Sequence, residues 1–189
     1  YMNKEILIIC RGGGDLATGI VHRLFRAGYQ VLILETAEPA AIRRQVSFCE
    51  AVYEGTATVE GVTAERIYTA KKQAVEEVLQ RGRIPLLVDP DGRSIEVLKP
   101  DVVVDAIIAK KNLGTYKEMA PLVIGIGPGF VAGEDVHLVV ESMRGHNLAR
   151  ILETGSALAN TGIPGNIGGY TKERVIHAAA EGYMKNLHQ

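Results

Sequence analysis

Short, uninterrupted apolar runs alternate along the chain with segments whose apolar residues recur every three to four positions, the pattern of buried strands joined by amphipathic helices. Residues 5–10 ("EILIIC") read as a buried strand. Residues 15–27 read as a helix with Leu16, Ile20, Leu24 and Ala27 near one face, and Gly28 marks its stop. "QVLILE", Gln30 to Glu35, is a second apolar strand ending on an acid. Two such strands flanking one helix make a βαβ unit, which needs a parallel sheet covered on both faces. Helical periodicity returns at roughly 38–46 and 70–82, and further strands are predicted at 85–89, 101–108 and 121–127. After Gly129 the pattern changes: "DVHLVVES" is β-branched, no helix follows, and the rest is rich in Gly, Thr and Asn, as short strands and turns are. The predicted class is α/β, with residues 2–119 forming the α/β part and residues 120–189 a smaller β-rich, glycine-containing part packed on it.

The turn between the first strand and the helix, "CRGGGDLATG", carries the chemistry. The spacing G-x-G-x-x-G/A is filled by Gly12, Gly14 and Ala17, with Gly13, Asp15 and Leu16 between them. Val21, Leu24, Gly28 and Val31 occupy the downstream packing positions. Gly12 would make the tight turn, Gly14 would let a pyrophosphate approach the backbone, and Ala17 would let helix and strand pack closely. The helix start then offers amides and a positive dipole end. Glu35, at the second strand's end, is placed to accept hydrogen bonds from ribose hydroxyls and to repel a 2′-phosphate. NAD, FAD or another adenosine nucleotide is therefore favoured over NADP, and the sheet is expected to be Rossmann-like, mostly parallel, with helices on both faces. Asp15 suits the helix dipole but opposes a bound pyrophosphate, unless Arg11 offsets it, Asp15 holds a cation, or the ligand is not a pyrophosphate. The competing reading is a glycine turn kept for packing alone.

A second glycine loop, Gly125, Gly127 and Gly129, follows the strand at 121–127. Pro128 lacks an N–H and no helix follows, so this loop is no second dinucleotide turn, though it could form a backbone concavity for an anion. His137 and Glu141 fall on one face of the next strand. Arg144 suits a phosphate or carboxylate, and His146 a proton carrier or ligand. No metal-ligand spacing is present and no metal is expected. The plain alternative is surface turns with a hydrogen-bonded strand histidine. Thr154, Ser156 and Thr161 form a hydroxyl-rich run without a nucleophile elbow, so no catalytic residue is assigned and enzymatic activity stays open. Cys10 reads either as a soft ligand beside the turn or as a small buried hydrophobe, and Cys49 as the latter.

With 189 residues, 47% of them hydrophobic, and a formal charge of -1, the chain shows no general attraction to nucleic acid or anionic lipid. The partner expected is a small nucleotide-like molecule or a protein. Two cysteines are too few for a disulfide framework, no basic-then-apolar leader precedes "ILIIC", and no apolar run spans a bilayer, which together predict a cytoplasmic protein outside the membrane.

The segments "RGGGDLATG", "VSFCEAVYEGTATVEGV", "KPDVVVDAIIAKKN", "GIGPGFVAGEDVHLVVESMRGHNLARI" and "GGYTKERV" together resemble the YqeB-type accessory proteins of selenium-dependent molybdenum hydroxylase systems, related in outlook to the XdhC/CoxI group of molybdenum-cofactor maturation factors. Longer members continue past "ERV" with an "APxxG" segment, which "ERVIHAAAEGYMKNLHQ" lacks. The resemblance implies a maturation role for a molybdenum hydroxylase, with that enzyme or its maturation machinery as partner. Together with the glycine turn, this makes a nucleotide, NAD included, or a molybdopterin-type cofactor the expected ligand. By motif it carries over Gly12 to Ala17, the loop Gly125 to Phe130, and Arg144 to His146. A homo-oligomer is left open. The alternatives are an NAD-dependent oxidoreductase, with His137 or His146 moving the proton, and a non-catalytic scaffold with an empty glycine turn.

Overall fold

Continuous apolar runs suit strands covered on both faces, and they lie here at the centre of one sheet. The computed structural model describes residues 6–159 together with 168–170, 173, 180 and 182. The chain divides into two units, Tyr1–Ala159 and Asn160–Gln189, and every helix and strand named below lies in the first.

The predicted βαβ unit is present as β1 (Leu7–Arg11), α1 (Asp15–Arg26) and β2 (Gln30–Glu35). β1 pairs in parallel with β2, Leu7 opposite Gln30 and Arg11 opposite Leu34. The chain continues through α2 (Ala51–Glu54), β3 (Thr56–Val59), β4 (Val62–Ile67), α3 (Lys72–Gln80), β5 (Ile84–Val88), α4 (Ser94–Leu98), β6 (Val102–Asp105), β7 (Leu122–Ile126), β8 (Leu138–Val140) and β9 (Ile151–Leu152). These strands form one nine-stranded sheet in the order β3-β4-β5-β2-β1-β6-β7-β8-β9. Only the edge strands β3 and β9 run antiparallel to their neighbours.

Because side chains alternate along a strand, the buried apolar residues separate into a layer on each face. Cys10, Ile33 and Val104 face Val21 of α1 and Phe48 and Val52 on one side. Ile9, Leu32 and Val103 face Val75 and Val78 of α3 and Ile95 of α4 on the other. The α/β class with a Rossmann-like, mostly parallel sheet and helices on both faces is thus the observed architecture. No helix among the described residues is long and apolar enough to cross a membrane.

Three features depart from the sequence pattern. The helix expected at 38–46 is instead an irregular chain ending in two 3-10 turns, Arg44–Val46 and Phe48–Glu50. Pro39 restrains the residue before it from helical geometry, and the apolar residues that made the periodicity are left in solvent, Ile42 fully and Val46 partly. Besides the short-range bonds of its 3-10 turns, the segment bonds to the glycine turn through the Cys49 amide and to α1 through the Phe48 amide. The hairpin β3–β4 is not among the predicted elements, although Glu60 and Gly61 both adopt positive φ, 45° and 79°, as a two-residue hairpin turn requires. Finally, β6 pairs with β7, Val102 opposite Leu122, so the division expected near residue 119 falls inside one continuous sheet. The β-branched residues after Gly129 extend that sheet as β8 and β9, and the chain separates after Ala159.

A buried ion pair joins the two central strands where they leave the sheet. Arg11 ends β1 and is 2% exposed, and its guanidinium lies 3.6 Å from the Asp105 carboxylate at the end of β6. The same guanidinium donates to Thr115 Oγ1, to the Pro90 carbonyl at 2.9 Å and to the Leu113 carbonyl at 3.1 Å, while Thr115 Oγ1 donates to Asp105. Removing one partner of such a pair leaves the other charge buried and unanswered. Arg11→Leu is therefore expected to lower stability by about 3 kcal/mol in denaturant unfolding. A loss below about 1 kcal/mol would show that the network is dispensable.

Candidate ligand-binding cleft at the glycine turn

From β1 the chain steps to β2 on one side, while β6 is added on the other, so the loops leaving β1 and β6 diverge. Crevices at such reversals of strand order are where open α/β sheets hold ligands. A cavity of about 230 Å³ lies there, lined by Gly12 and Gly14 of the turn, Glu35 at the end of β2, Cys49 of the second 3-10 turn, and Ala106 and Ile107 after β6.

The three glycines of the turn do different jobs. Gly12 has φ 101°, and a Cβ on it would lie 2.9 Å from the Ala106 carbonyl oxygen, so no other residue fits without moving β6's exit. A Cβ on Gly13 would lie 3.2 Å from both the Cys49 amide nitrogen and Ile33 Cγ2. A Cβ on Gly14 would meet nothing within 4 Å, so Gly14 alone presents open backbone to the cleft. Ala17 is buried against the sheet, as the close packing of α1 requires.

The turn is clamped from several sides. The Gly13 carbonyl accepts the Cys49 amide at 2.8 Å and the Thr18 hydroxyl at 3.1 Å, and that hydroxyl in turn accepts the Phe48 amide at 2.9 Å. Glu35 Oε2 accepts the Gly13 amide at 2.8 Å, while its Oε1 accepts the Thr36 amide at 2.7 Å. Asp15 accepts its neighbour Leu16's amide at 2.9 Å and pairs with Arg43, whose Nε lies 2.6 Å from Oδ2. The cation expected to offset Asp15 is thus Arg43 rather than Arg11, because alternation along β1 turns Arg11 toward Asp105 and Thr115. Leu16 is half-exposed beside it.

Both thiols are held protonated. Burial pushes the Cys10 thiol far above its usual range, with Asp105 and Glu35 adding to the effect, and its Sγ donates to the Gly12 carbonyl at 3.6 Å. Burial first, then Glu35 and Glu50, push Cys49 up to about 12. Buried and protonated in this way, Cys10 packs as a small buried hydrophobe beside the turn. Among the described residues no cluster of three or more His, Cys, Asp or Glu side chains could hold a metal ion.

The second glycine loop does not join the cleft. Its glycines answer close packing: a Cβ on Gly125 would lie 2.5 Å from the Phe130 ring, on Gly127 2.6 Å from Ser142 Oγ, and on Gly129 2.7 Å from the Lys111 Cα. Arg144 and His146 are exposed in the loop between β8 and β9 and are not among the residues that line the cleft. His137 Nδ1 accepts the Val123 amide at 3.0 Å, and its own amide donates to the Val123 carbonyl, which ties β8's start to β7. Glu141 is buried and accepts the amides of Met143 at 2.7 Å and Leu158 at 2.8 Å. Burial opposes its charge, but the amides of Leu158, Met143 and Ser142 outweigh this and hold its carboxyl below the usual range. Thr161 of the hydroxyl-rich run lies outside the described residues.

Sequence reasoning left out Thr18, Thr36 and the Ala106–Ile107 wall, and read Cys49 only as a buried hydrophobe. The wall was accessible in principle: a strand ending in "VVVDAII" that pairs beside β1 must deliver its exit next to Gly12. The role of Cys49 lies in its backbone amide, which side-chain chemistry does not announce.

No protein-family description matches this sequence, and no solved structure does. One relative, described as "Uncharacterized protein YqeB" from Escherichia coli (strain K12), is 49% identical over 180 residues. The chain is thus similar, along nearly all of its length, to one part of YqeB. The match takes in 95% of the present chain but 33% of YqeB's own length, so the chain spans about a third of that relative. The span common to YqeB includes most of a unit whose cleft is assembled from β1, β2, β6 and the 3-10 segment.

Two outcomes follow for the turn and its surroundings. Gly12→Ala should destabilise the fold by about 2 kcal/mol or more, through strain and the clash with Ala106, while Gly14→Ala changes stability by less than about 0.5 kcal/mol; equal effects in denaturant unfolding would contradict the distinct jobs of these glycines. For Glu141, whose folded carboxyl is depressed, the stabilising contribution is present above the ordinary carboxylate pKa and disappears as pH falls through the folded one. The stability gap between the wild type and Glu141→Gln should accordingly narrow below about pH 4, and a gap independent of pH would refute it.

Proposed function

We propose that this chain binds a nucleotide or a molybdopterin-type molecule in the glycine cleft and serves as an accessory protein in maturing a molybdenum hydroxylase, receiving or handing over its cofactor. The observation that carries the ligand half is the open backbone of Gly14, facing a cavity at the sheet's reversal point beside the first turn of α1. At about 230 Å³ the cavity is smaller than the roughly 300 Å³ at which small-molecule pockets usually begin, which suits one end of a nucleotide-like ligand better than a whole dinucleotide. Gly14 and the α1 amides would take a phosphate, the Asp15 charge in that first turn is already answered by Arg43, and Pro39, Ala40 and Ile107 offer apolar walls to a ring. The maturation half rests on the motifs shared with YqeB-type proteins, not on the cleft. The ligand would bring its own reactivity, and the residues of the chain bind and orient it.

The scaffold reading has its own support in the Glu35–Gly13 and Cys49–Gly13 hydrogen bonds, which make the turn self-sufficient without a ligand. The oxidoreductase reading draws no support from His137, which ties two strands together, or from the exposed His146.

Calorimetric titration of the chain with NAD, NADP, ADP and isolated molybdopterin tests the ligand half. Binding of at least one should be weakened tenfold or more by Gly14→Val, whose side chain enters the cleft's open space, with the melting temperature nearly unchanged. If none of the four binds, the scaffold reading stands in its place. Failure both to bind molybdopterin and to form a complex with a molybdenum hydroxylase subunit would sink the maturation half.

A further inference from the structure

The Glu35 carboxylate lines the cleft without a cationic partner among the described residues. Both of its oxygens are already in use, Oε2 on the Gly13 amide at 2.8 Å and Oε1 on the Thr36 amide at 2.7 Å. In a dinucleotide turn the glycine backbone is the surface a pyrophosphate approaches. Here the Gly13 part of that surface is covered by an anion belonging to the protein. The Gly13 amide is held in this direction because the Gly13 carbonyl is fixed by the Cys49 amide and the Thr18 hydroxyl, on a backbone so close to its neighbours that a Cβ there would lie 3.2 Å from the Cys49 nitrogen and from Ile33 Cγ2. A phosphate oxygen aimed at this amide would have to sit where Oε2 sits, against a like charge.

We infer that Glu35 determines which end of a ligand the cleft accepts: it bars an anionic group from the Gly13 amide and takes a neutral, donor-bearing group in its place, leaving any phosphate on the far side of Gly14. This rests on the ligand-binding reading above. A carboxylate has about four lone-pair sites, and two are occupied, so two remain for donors such as a pair of sugar hydroxyls or the N–H edge of a heterocycle. The consequence is opposite in sign for two kinds of ligand. Neutralising Glu35 removes a barrier for one and an acceptor for the other.

The experiment uses the whole chain as wild type and Glu35→Gln, titrated with ADP, adenosine and inorganic pyrophosphate, with Gly14→Val alongside. Pyrophosphate is expected to bind about tenfold more tightly to Glu35→Gln than to the wild type, while adenosine binds more weakly. A merely structural role for Glu35 would weaken both together. If ADP binds the wild type and is lost in Gly14→Val, but pyrophosphate gains nothing in Glu35→Gln, the inference is overturned and the ligand-binding reading survives. Should no probe bind either protein, both fall. Thermal unfolding reports whether Glu35→Gln folds; where it does not, Glu35→Asp keeps the charge and is expected to leave pyrophosphate excluded, and a gain in pyrophosphate binding there would equally overturn the inference.

Discussion

The approach of the Gly12 backbone to the Ala106 carbonyl is the constraint around which the site is built. Two parallel strands can deliver their exits side by side only if neither carries a side chain into the gap, and Gly12 with φ 101° supplies that absence. One residue earlier in each strand, Arg11 and Asp105 face each other across the same β1–β6 register and close the other side of the sheet with a buried ion pair. The backbone contact sets the distance between the exits, and the ion pair fixes how they are turned. Everything that lines the cleft hangs from that junction.

The turn is also held from above by a segment that gave up being a helix. Residues 36–50 lay no regular first helix onto the sheet; they place Phe48 in the core and the Cys49 amide on the Gly13 carbonyl. Backbone amides and carbonyls must find partners when buried, and here the glycine turn and the 3-10 segment supply each other's. The result is a cleft whose walls are hydrogen-bonded to one another and whose charge is set by Glu35, with Asp15 answered by Arg43. The second glycine loop shows the same composition in a different role. Its three glycines let Phe130, Ser142 and the Lys111 backbone approach, so a glycine-rich sequence marks close approach of chain to chain as readily as of chain to ligand.

Much of the frame was legible in the residues. Apolar runs without polar alternation identified β1, β2, β5, β6 and β7, because a strand covered on both faces has no side to expose. The 3.6-residue period identified α1 and α3, each with one face in the core. The same period misled at 38–46, where Ile42 and Val46 look like a helical face but point to solvent. Glu35 stands at the end of β2 and lines the cleft, a position that follows from strand length alone. That its carboxylate is spent on the Gly13 amide does not, because the hydrogen bond spans 22 residues and depends on how β1 and β2 are registered.

Sequence by itself therefore determined the α/β class, the βαβ unit, and the turn with Gly12, Gly14 and Ala17 in register, all of which are local or periodic properties of the chain. Tertiary structure alone decided that β6 lies beside β1, that Arg11 faces Asp105 instead of the turn, and that Cys49 closes on Gly13. Arg144 and His146, chosen for their chemistry, are exposed and do not line the cleft. The physical reason is that spacing along a chain specifies the direction of a side chain within its own element, whereas which elements meet is settled by the joint burial of both sheet faces and the pairing of every buried polar group.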